Sequence, residues 1–474
     1  MKKATLRILA LAMALLMVMA LAACGNSDAT TSDPATSDAQ TESSNPQGTT
    51  ANSDSNVTIS SKTKRDPVAQ KKSWEDIKKE IPADASGKTL IVYDWNPQTE
   101  VPGMEKVNKN FTKETGIKLN YTIVTYGSYF TKITAEVAAK NAPDAVRLQN
   151  ISRQNLVNLQ PINKLGYDFS DPAWDKNVLN AYTFNGNIYG VNMVDSPLYC
   201  PVLVYYNTNL IKSYDLDDPY ELWKNGEWTW DKLWDMCKEF KKEADGDGFL
   251  GISTMAFYEY QLAYNKPTIT YDKATNTYKH NLQDSNYIRS WQIYANNYDK
   301  GYVAQALTDN DNFNSGKLLF NVSMGIASRN GSSYFKDLRA EGVVACVPLP
   351  ALKEGSKDYQ LMGEVQAFGV PKGAKNAALV PYYLRYYFDV NNYNMNGFYN
   401  VKYADEVIKY IQKSNPSFRY ETAIMTTEST GFSSAEFFDQ LKTGGAANVK
   451  MTLDSFVPKV EQAMKDMQGF LSTL

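Results

Sequence analysis

The chain has 474 residues with 49 basic and 52 acidic side chains, so its formal charge is −3, and 12% of its residues are aromatic. This balance argues against a nucleic-acid binder, which would carry a basic domain with clustered lysine and arginine. The single histidine, His280, lies in a polar stretch that predicts a surface turn. One such histidine argues against His-based catalytic triads and multi-histidine metal sites.

The N-terminus predicts export. Three basic residues lie among the first seven, and the apolar stretch 8–21 is shorter than the about 20 residues that a membrane-spanning helix needs. It fits the apolar segment of a signal peptide. Leu21-Ala22-Ala23-Cys24 resembles the lipobox of bacterial lipoproteins, which implies a signal peptide over 1–23 and lipidation of Cys24. An ordinary signal peptide cut after Ala23 is the alternative.

A lipidated cysteine would hold the protein at the outer face of the bacterial cytoplasmic membrane, because more than one acyl chain makes anchoring stable. Residues 25–66 contain six apolar residues and no aromatic one, which is too few to offset the entropy of ordering. We therefore assign 24–87 to the lipidated cysteine and a disordered tether. Order is expected to begin within the more charged stretch 62–80, which contains Trp74 and Ile77.

Hydrophobic periodicity beyond the tether predicts an α/β fold. Up to residue 146, the predicted elements are a strand over 89–93, a helix with Met104, Val107 and Phe111 on one face that Gly116 ends, an alternating strand over 119–123, a helix over 129–140 and a strand at 145–146. Strand, helix and strand in succession make a βαβ unit, hence a parallel sheet.

The later part of the chain continues this alternation. Its predicted elements are a strand over 202–206, a helix capped by Thr229 with Trp230, Leu233, Trp234, Cys237 and Phe240 on one face, a strand over 251–255, and a last helix with Val460, Met464, Met467 and Leu471 on one face. The ordered part, about 390 residues, exceeds the about 250–300 at which one core stops growing, so we expect two lobes.

Three cysteines remain beyond Cys24, namely Cys200, Cys237 and Cys346. They are too few for a disulfide framework, although one pair could form a bridge. Cys237 falls on the apolar face of a predicted helix, so it is expected to be a buried small hydrophobe.

A series of short motifs follows the order of the predicted elements. They are Phe-Thr-Lys-Glu-Thr-Gly-Ile-Lys-Leu-Asn at 111–120, Ala-Pro-Asp-Ala-Val at 142–146, Asn-Gly-Asn-Ile-Tyr-Gly-Val at 185–191, Val-Tyr-Tyr-Asn at 204–207, Trp-Thr-Trp-Asp-Lys-Leu at 228–233, and Ser-Gly-Lys at 315–317 with Ser-Met-Gly at 323–325. No single motif is specific. Their ordered series resembles the extracellular solute-binding proteins of the carbohydrate, maltose-binding-like class that serve ABC importers, from about residue 88 to the C-terminus.

The resemblance implies a two-lobed periplasmic-binding-protein-like α/β fold, with hinge strands and an interlobe ligand cleft that closes by hinge motion. It assigns 88–196 and 362–415 to the N-terminal lobe, and 197–361 and 416–474 to the C-terminal lobe. The implied crossings between the lobes lie near 195–204, just before Gly363-Glu364 and near 415.

A sugar site needs aromatic faces for ring C–H groups and polar side chains for hydroxyls. Trp95 and Asn96 directly follow the first strand, and Gln149 and Asn150 follow the strand at 145–146, at the sheet edge where ligands bind in open α/β sheets. A Trp95 that only caps the core is the alternative. The resemblance and the positions after later strands add the candidate ligand-binding residues Tyr258, Glu259, Tyr260, Arg329, Asn330, Tyr334 and Glu364.

Other conspicuous residues are assigned to structure. Helical spacing places Trp230 and Trp234 in the core, and Trp228 is grouped with them. Asp144 is interpreted as a turn residue. Asp-Gly-Asp-Gly at 245–248 is similar to the calcium loop of some relatives, but no acid follows to complete it, so a solvated turn is the preferred interpretation.

The function that the resemblance implies is capture of a small solute, expected to be a sugar or oligosaccharide, and its delivery to the permease subunits of an ABC importer. We expect a monomer that is not an enzyme and needs no cofactor. A lipoprotein of the same fold that binds a non-sugar solute or feeds a sensor is the first alternative. A surface glycoside hydrolase is the second, because 52 acids could supply a carboxylate pair. Gly87-Lys88-Thr89 lacks the upstream glycine of a phosphate loop, and no G-x-S-x-G motif is present.

Overall fold

The computed structural model describes residues 71–96, 103–148, 156–198, 200–243, 268–272, 275, 277–304, 310–330, 332–353, 355, 363–364, 366–393, 395, 398–414 and 434–473. The chain divides into the compact units Met1–Asp66 and Pro67–Leu474, and every described residue belongs to the second. The predicted signal peptide, Cys24 and the first part of the tether lie outside the described residues.

The helices of the described residues are numbered in chain order. They are α1 Trp74–Lys79, α2 Met104–Thr115, α3 Tyr126–Ala138, α4 Lys176–Ala181, α5 Thr208–Ser213, α6 Pro219–Asn225, α7 Trp230–Glu243, α8 Ser285–Asp299, α9 Asn310–Asn314, α10 Lys336–Ala340, α11 Val380–Tyr387, α12 Ala404–Lys413, α13 Ser434–Thr443 and α14 Gly445–Leu471. None of these helices is long and apolar enough to cross a membrane.

The strands of the described residues are numbered in the same way. They are β1 Thr89–Asp94, β2 Lys118–Ile123, β3 Ala145–Leu148, β4 Leu159–Gln160, β5 Thr183–Phe184, β6 Asn187–Ile188, β7 Cys200–Asn207, β8 Ile269–Asp272, β9 Thr277–His280, β10 Phe320–Met324, β11 Val344–Val347, β12 Gly363–Glu364 and β13 Ala367–Pro371. Helices alternate with strands along much of this order, which is the mixed α/β class that the periodicity predicted.

Helix α1 lies within 62–80, the stretch where order was expected to begin, and therefore inside the segment 24–87 that was assigned to the tether. Ser73 caps α1 by accepting a hydrogen bond from the Asp76 N–H at 3.2 Å. Ile77 is buried, and the Trp74 ring packs against the rings of Phe111 and Tyr386. A capped turn with two apolar anchors can offset the entropy of ordering this part of the chain.

The first sheet has the strand order β2-β1-β3-β13-β4. β1 pairs in parallel with both β2 and β3, so the predicted βαβ unit and its parallel sheet are confirmed. β13 returns from much later in the chain and pairs antiparallel with β3 and β4. The carboxyl ends of β1, β2 and β3 therefore meet at one edge of this sheet.

The helix predicted from Met104, Val107 and Phe111 is α2, and all three side chains are buried. It ends at Gly116, whose φ of 73° is in the left-handed region and where a Cβ would collide with the Ser86 side chain. α3 begins at Tyr126 instead of residue 129. The first turn was missed because Tyr126 is 48% exposed and adds nothing to the apolar pattern.

The second sheet is built on β7, which contains the predicted strand 202–206. β10 and β11 pair with it antiparallel along opposite sides, and β12 pairs with its first residues, Cys200 and Pro201. β12 lies only two residues before β13 of the first sheet. The connecting segments of the two sheets are therefore hydrogen-bonded to each other.

The predicted helix at 230 is α7, and its apolar face is confirmed by the burial of Trp230, Leu233 and Cys237. The Thr229 hydroxyl accepts a hydrogen bond from the Lys232 N–H at 3.1 Å, as expected of a cap. Trp228 is buried and its indole N–H donates to the Pro348 carbonyl at 2.9 Å, which confirms its structural role. Cys237 and Cys346 are both buried and free.

The surface turn predicted at His280 is wrong. His280 ends β9, which pairs with β8 as a hairpin that contacts α14. Its side chain is 14% exposed, and its Nε2 lies 3.8 Å from Glu461 Oε1. The polar sequence does not predict this strand, because the apolar side chains that pack against it belong to the distant helix α14. On that helix Val460, Met467 and Leu471 are buried, as predicted. The predicted strand 251–255 lies outside the described residues.

Asp144 lies in the turn before β3 and connects this turn to β1 and to the segment after β13. Its carboxylate accepts hydrogen bonds from the Ile91 N–H at 2.9 Å and the Asn376 N–H at 2.7 Å. Burial raises the pKa of this carboxyl, and the two N–H donors act in the opposite direction. The turn role predicted for Asp144 is therefore structural, with two backbone donors depending on it.

Replacing Asp144 with alanine is expected to lower the free energy of unfolding by about 1–3 kcal/mol, because two part-buried N–H groups lose their acceptor. Urea denaturation followed by circular dichroism measures this. Asp84→Ala is the matched control, since the Asp84 side chain is 77% exposed and pairs only at the surface with Lys88. An equal effect of the two substitutions would contradict the role assigned to Asp144.

Candidate functional site

The edge where β1, β2 and β3 end carries the first group of predicted site residues. Trp95 and Asn96 follow β1 directly, and both are half-buried. The Asn96 N–H donates to Asp94 Oδ1 at 2.9 Å, which turns the chain away from the strand. Gln149 and Asn150, the predicted residues after β3, lie outside the described residues.

The Trp95 ring is surrounded on one side by aromatic side chains of α3. It contacts Tyr126 and Tyr129 edge to face, with ring centroids 5.4 Å and 4.9 Å away, and Phe130 lies at 6.4 Å. Tyr129 is fully buried, so Trp95 does pack on the core, whereas Tyr126 is 48% exposed. The ring thus lies between the core and the surface, which suits a partly exposed apolar contact for a ligand.

Beneath Trp95 is a fully buried ion pair. Arg147 Nη1 lies 3.2 Å from Asp94 Oδ1 and 3.3 Å from Oδ2, and both side chains are 0% exposed. The pair arises from the strand register, because Tyr93 lies opposite Val146 and the next residues are Asp94 and Arg147. A buried charge needs both a partner and further hydrogen bonds.

Those further hydrogen bonds come from β2, from helix α3 and from the residue that precedes β13. The Tyr121 hydroxyl of β2 donates to Asp94 Oδ2, and Arg147 Nη2 donates to the Gln366 side-chain oxygen. Tyr129 donates its hydroxyl to the Tyr93 carbonyl at 2.7 Å and accepts from the Arg147 N–H at 2.8 Å. The end of the sheet is therefore tied together directly below the predicted ligand contacts.

The tyrosines of this network stay protonated at neutral pH. Burial, reinforced by the charge of Asp94, raises the pKa of both Tyr121 and Tyr129 well above 10. Each hydroxyl consequently remains available as a donor, as the geometry requires.

The second group of predicted site residues follows β10. Arg329 is only 1% exposed, with its guanidinium 5.7 Å from the centre of the Phe398 ring, so the expectation that its side chain faces a ligand is wrong. Residues 398–400, far along the chain, cover it: the Asn330 N–H donates to the Phe398 carbonyl at 2.6 Å. Asn330 itself is exposed and Tyr334 is half-buried.

Arg339 holds this second group together. The hydrogen bond from Asn330 to Phe398 fastens one side of the segment 329–334, and Arg339 fastens the other. Its Nε donates to the Tyr334 carbonyl at 2.7 Å, and its Nη1 donates to the Arg329 carbonyl and to Asn400 Oδ1, both at 2.6 Å. Arg339 is 5% exposed, and burial lowers the pKa of its guanidinium. Carbonyl and amide oxygens thus solvate a buried cation, which fixes the path of the segment.

Replacing Arg339 with methionine is expected to lower the free energy of unfolding by about 2–3 kcal/mol, because one buried and two part-buried hydrogen bonds lose their charged donor. Hydrogen exchange should also become faster in 332–340, which mass spectrometry can follow. Arg289→Met on α8 is the control, since Arg289 is exposed. Unchanged exchange in 332–340 would contradict this role for Arg339.

Three further predicted residues, Tyr258, Glu259 and Tyr260, lie outside the described residues. Glu364 lies in β12, where its backbone pairs with Cys200 of β7. Within the described part of the chain, no cluster of three or more His, Cys, Asp or Glu side chains could hold a metal ion. The stretch 245–248, discussed for calcium, is outside that part.

Sequence reasoning named Trp95 and Asn96 as candidate ligand contacts but did not name the residues that support them. Asp94 and Arg147 each lie at or near the end of an otherwise apolar strand, and a charge at such a position was a signal that something must pair with it. Arg339 gave no comparable signal, because its acceptors are mostly backbone carbonyls.

Solved structures share this fold at low sequence identity. A cyclic α-maltosyl-1,6-maltose binding protein from Arthrobacter globiformis is 14% identical, with 81% of this chain and 99% of that chain covered and a TM-score of 0.60. An ABC substrate-binding protein from Listeria monocytogenes in complex with cycloalternan is 14% identical, with the same coverage and a TM-score of 0.58. An extracellular solute-binding protein from Staphylococcus aureus in complex with maltose is 16% identical, again with the same coverage and a TM-score of 0.58.

These likenesses show that the chain has the two-lobed periplasmic-binding-protein-like fold expected from the sequence. No curated protein sequence matches the chain. The family model described as bacterial extracellular solute-binding protein matches residues 95–388, which is more than half of the sequence. The chain therefore belongs to the bacterial extracellular solute-binding protein family.

Proposed function

We propose that this protein is the substrate-binding lipoprotein of an ABC importer, and that it captures a sugar or oligosaccharide between two lobes and delivers it to the permease. The observation that carries the sugar assignment is Trp95, a half-buried ring at the carboxyl edge of the first sheet. Partly exposed indole rings suit the C–H faces of sugars, and polar groups nearby suit the hydroxyls. The relatives from Arthrobacter, Listeria and Staphylococcus support the same class of ligand by the saccharides in their descriptions.

In this proposal the N-terminal lobe comprises 88–196 and 362–415, and the C-terminal lobe comprises 197–361 and 416–474. The ligand contacts are Trp95, Asn96, Gln149 and Asn150 from the first lobe. The second lobe and the crossing strand contribute Tyr258, Glu259, Tyr260, Asn330, Tyr334 and Glu364. The protein acts as a monomer, does not cleave its ligand and is held at the outer face of the cytoplasmic membrane through Cys24.

A thermal-shift screen tests the ligand class. The protein without its first 23 residues is unfolded in the presence of maltose, linear and cyclic oligosaccharides, amino acids and short peptides. A ligand at 100 times its Kd adds about 2.7 kcal/mol to the free energy of unfolding. We expect a rise in Tm of several degrees with at least one saccharide and none with amino acids or peptides. A rise in Tm with peptides alone would show that the ligand is a peptide and not a sugar.

The same samples test for hydrolysis. After prolonged incubation with the saccharide that binds, chromatography should recover it intact. Shorter fragments that accumulate with turnover would make the protein a glycoside hydrolase and reject the binding proposal.

The anchor is tested separately in cells. Expression of the full chain in a bacterium should place it in the membrane fraction, and Cys24→Ser should release it or leave its signal peptide uncut. Unchanged membrane association and no incorporation of labelled fatty acid into the wild type would reject lipidation.

A further inference from the structure

We propose that Arg147 is a positioning residue, whose guanidinium fixes the orientation of the Trp95 ring. The inference deepens the proposed function and rests on it for the identity of Trp95 as a ligand contact. Arg147 itself is 0% exposed, so it acts on the ligand only through the ring.

The contact is close and shielded from water. The guanidinium carbon of Arg147 lies 5.1 Å from the centroid of the Trp95 ring, within the range of a cation–π interaction. A cation attracts an aromatic ring more strongly when neither is fully hydrated, and this cation is completely buried. The attraction therefore favours one placement of the ring above the guanidinium.

The guanidinium can hold the ring because it is itself held. Asp94 accepts from Nη1 at 3.2 Å and 3.3 Å, and Gln366 accepts from Nη2. The Gln366 carbonyl in turn accepts from Asn192 Nδ2 at 2.7 Å. A planar group with acceptors from two other strands or segments has one orientation available, and the ring takes its position from that orientation.

The tyrosines of α3 complete the arrangement. Tyr126 and Tyr129 meet the Trp95 ring at interplanar angles of 82° and 88°. They confine the ring laterally, whereas Arg147 lies over its plane. A ring fixed in this way loses little conformational freedom when a ligand binds, which improves affinity without adding a contact.

Fluorine NMR tests the positioning without any ligand. The protein is labelled with 5-fluorotryptophan, and the Trp95 resonance among the eight tryptophans is assigned by its loss in Trp95→Phe. Arg147→Lys retains the charge opposite Asp94 but loses the planar group. We expect this variant to shift and broaden the Trp95 resonance. An unmoved Trp95 resonance would overturn the proposal.

Arg385→Lys is the matched control. Arg385 on α11 is 2% exposed and lies near Asp171 and Asp389, at 3.5 Å and 3.3 Å, and it donates to the Lys72 carbonyl at 2.8 Å. The Arg385→Lys variant should lower Tm without moving the Trp95 resonance. If Arg147→Lys does not fold, Gln366→Ala decides in its place, because it loosens the guanidinium without removing a charge and should move the same resonance.

A double-mutant cycle tests the consequence for binding, with maltose as the first probe and, failing that, the saccharide selected by the screen. In the otherwise wild-type protein, Arg147→Lys should raise the Kd for the saccharide about tenfold. In a Trp95→Ala background it should change Kd less than about twofold, since its effect passes through the ring. An equal effect in both backgrounds would overturn the proposal. If no saccharide binds the wild type, the proposed function fails, and the fluorine resonance alone decides the role of Arg147.

Discussion

Replacing Asp94 with asparagine is expected to lower the free energy of unfolding by about 3–5 kcal/mol, because the substitution leaves the Arg147 cation buried without its anion. The two side chains are 0% exposed, so water cannot take the place of the carboxylate. Urea denaturation followed by circular dichroism measures the change. Asparagine has nearly the shape of aspartate, so the loss reports the charge and its hydrogen bonds rather than a cavity.

Glu105→Gln on α2 is the control for the Asp94 prediction. Glu105 pairs with Lys109 one helical turn away, and the two side chains are 64% and 73% exposed. Its loss should change the free energy of unfolding very little, as is usual for surface pairs. An Asp94→Asn variant as stable as this control would show that the buried pair contributes nothing to the fold.

Replacing Trp95 with alanine is expected to weaken saccharide binding at least about 30-fold, since a tryptophan at the centre of a binding site commonly contributes about 2 kcal/mol or more. Isothermal titration calorimetry on the saccharide identified by thermal shift measures the change. The reason is the loss of a rigid apolar face that Arg147 and the α3 tyrosines hold in place.

Trp74→Ala is the matched control for Trp95. Trp74 is also half-buried, but its ring packs on Phe111 and Tyr386, in the cluster on the other face of β1. This variant should lose stability and keep its affinity for the saccharide. Equal loss of affinity in both variants would show that Trp95 acts on binding only through the fold.

Much of the fold follows from local patterns. Runs of apolar and β-branched residues predict β1 and β7. A one-sided apolar face and a terminal glycine predict α2. Each of these signals lies within a few neighbouring residues. The mistakes occur where distant chain segments supply the cover. His280 belongs to a strand because α14 packs on its hairpin, and Arg329 is buried because residues 398–400 lie over it.

The candidate site is predictable only in part for the same reason. Trp95 could be named as a candidate ligand contact because it directly follows a strand. Its support could not, since Arg147 is 53 positions from Asp94 and 219 from Gln366, and no periodicity connects them. Strand register brings these residues together, and register is a property of the assembled sheet.

The pairing of β7 with β12 bears on how the protein melts. Two separate sheets would suggest two calorimetric transitions, yet the segments that join them are hydrogen-bonded at Cys200 and Pro201, and Gln366 beside them is tied to Arg147 and Asn192. Unfolding of one sheet would therefore remove hydrogen-bond partners from the other sheet. Differential scanning calorimetry of the ligand-free protein should therefore show one cooperative transition, with the calorimetric enthalpy equal to the van't Hoff enthalpy.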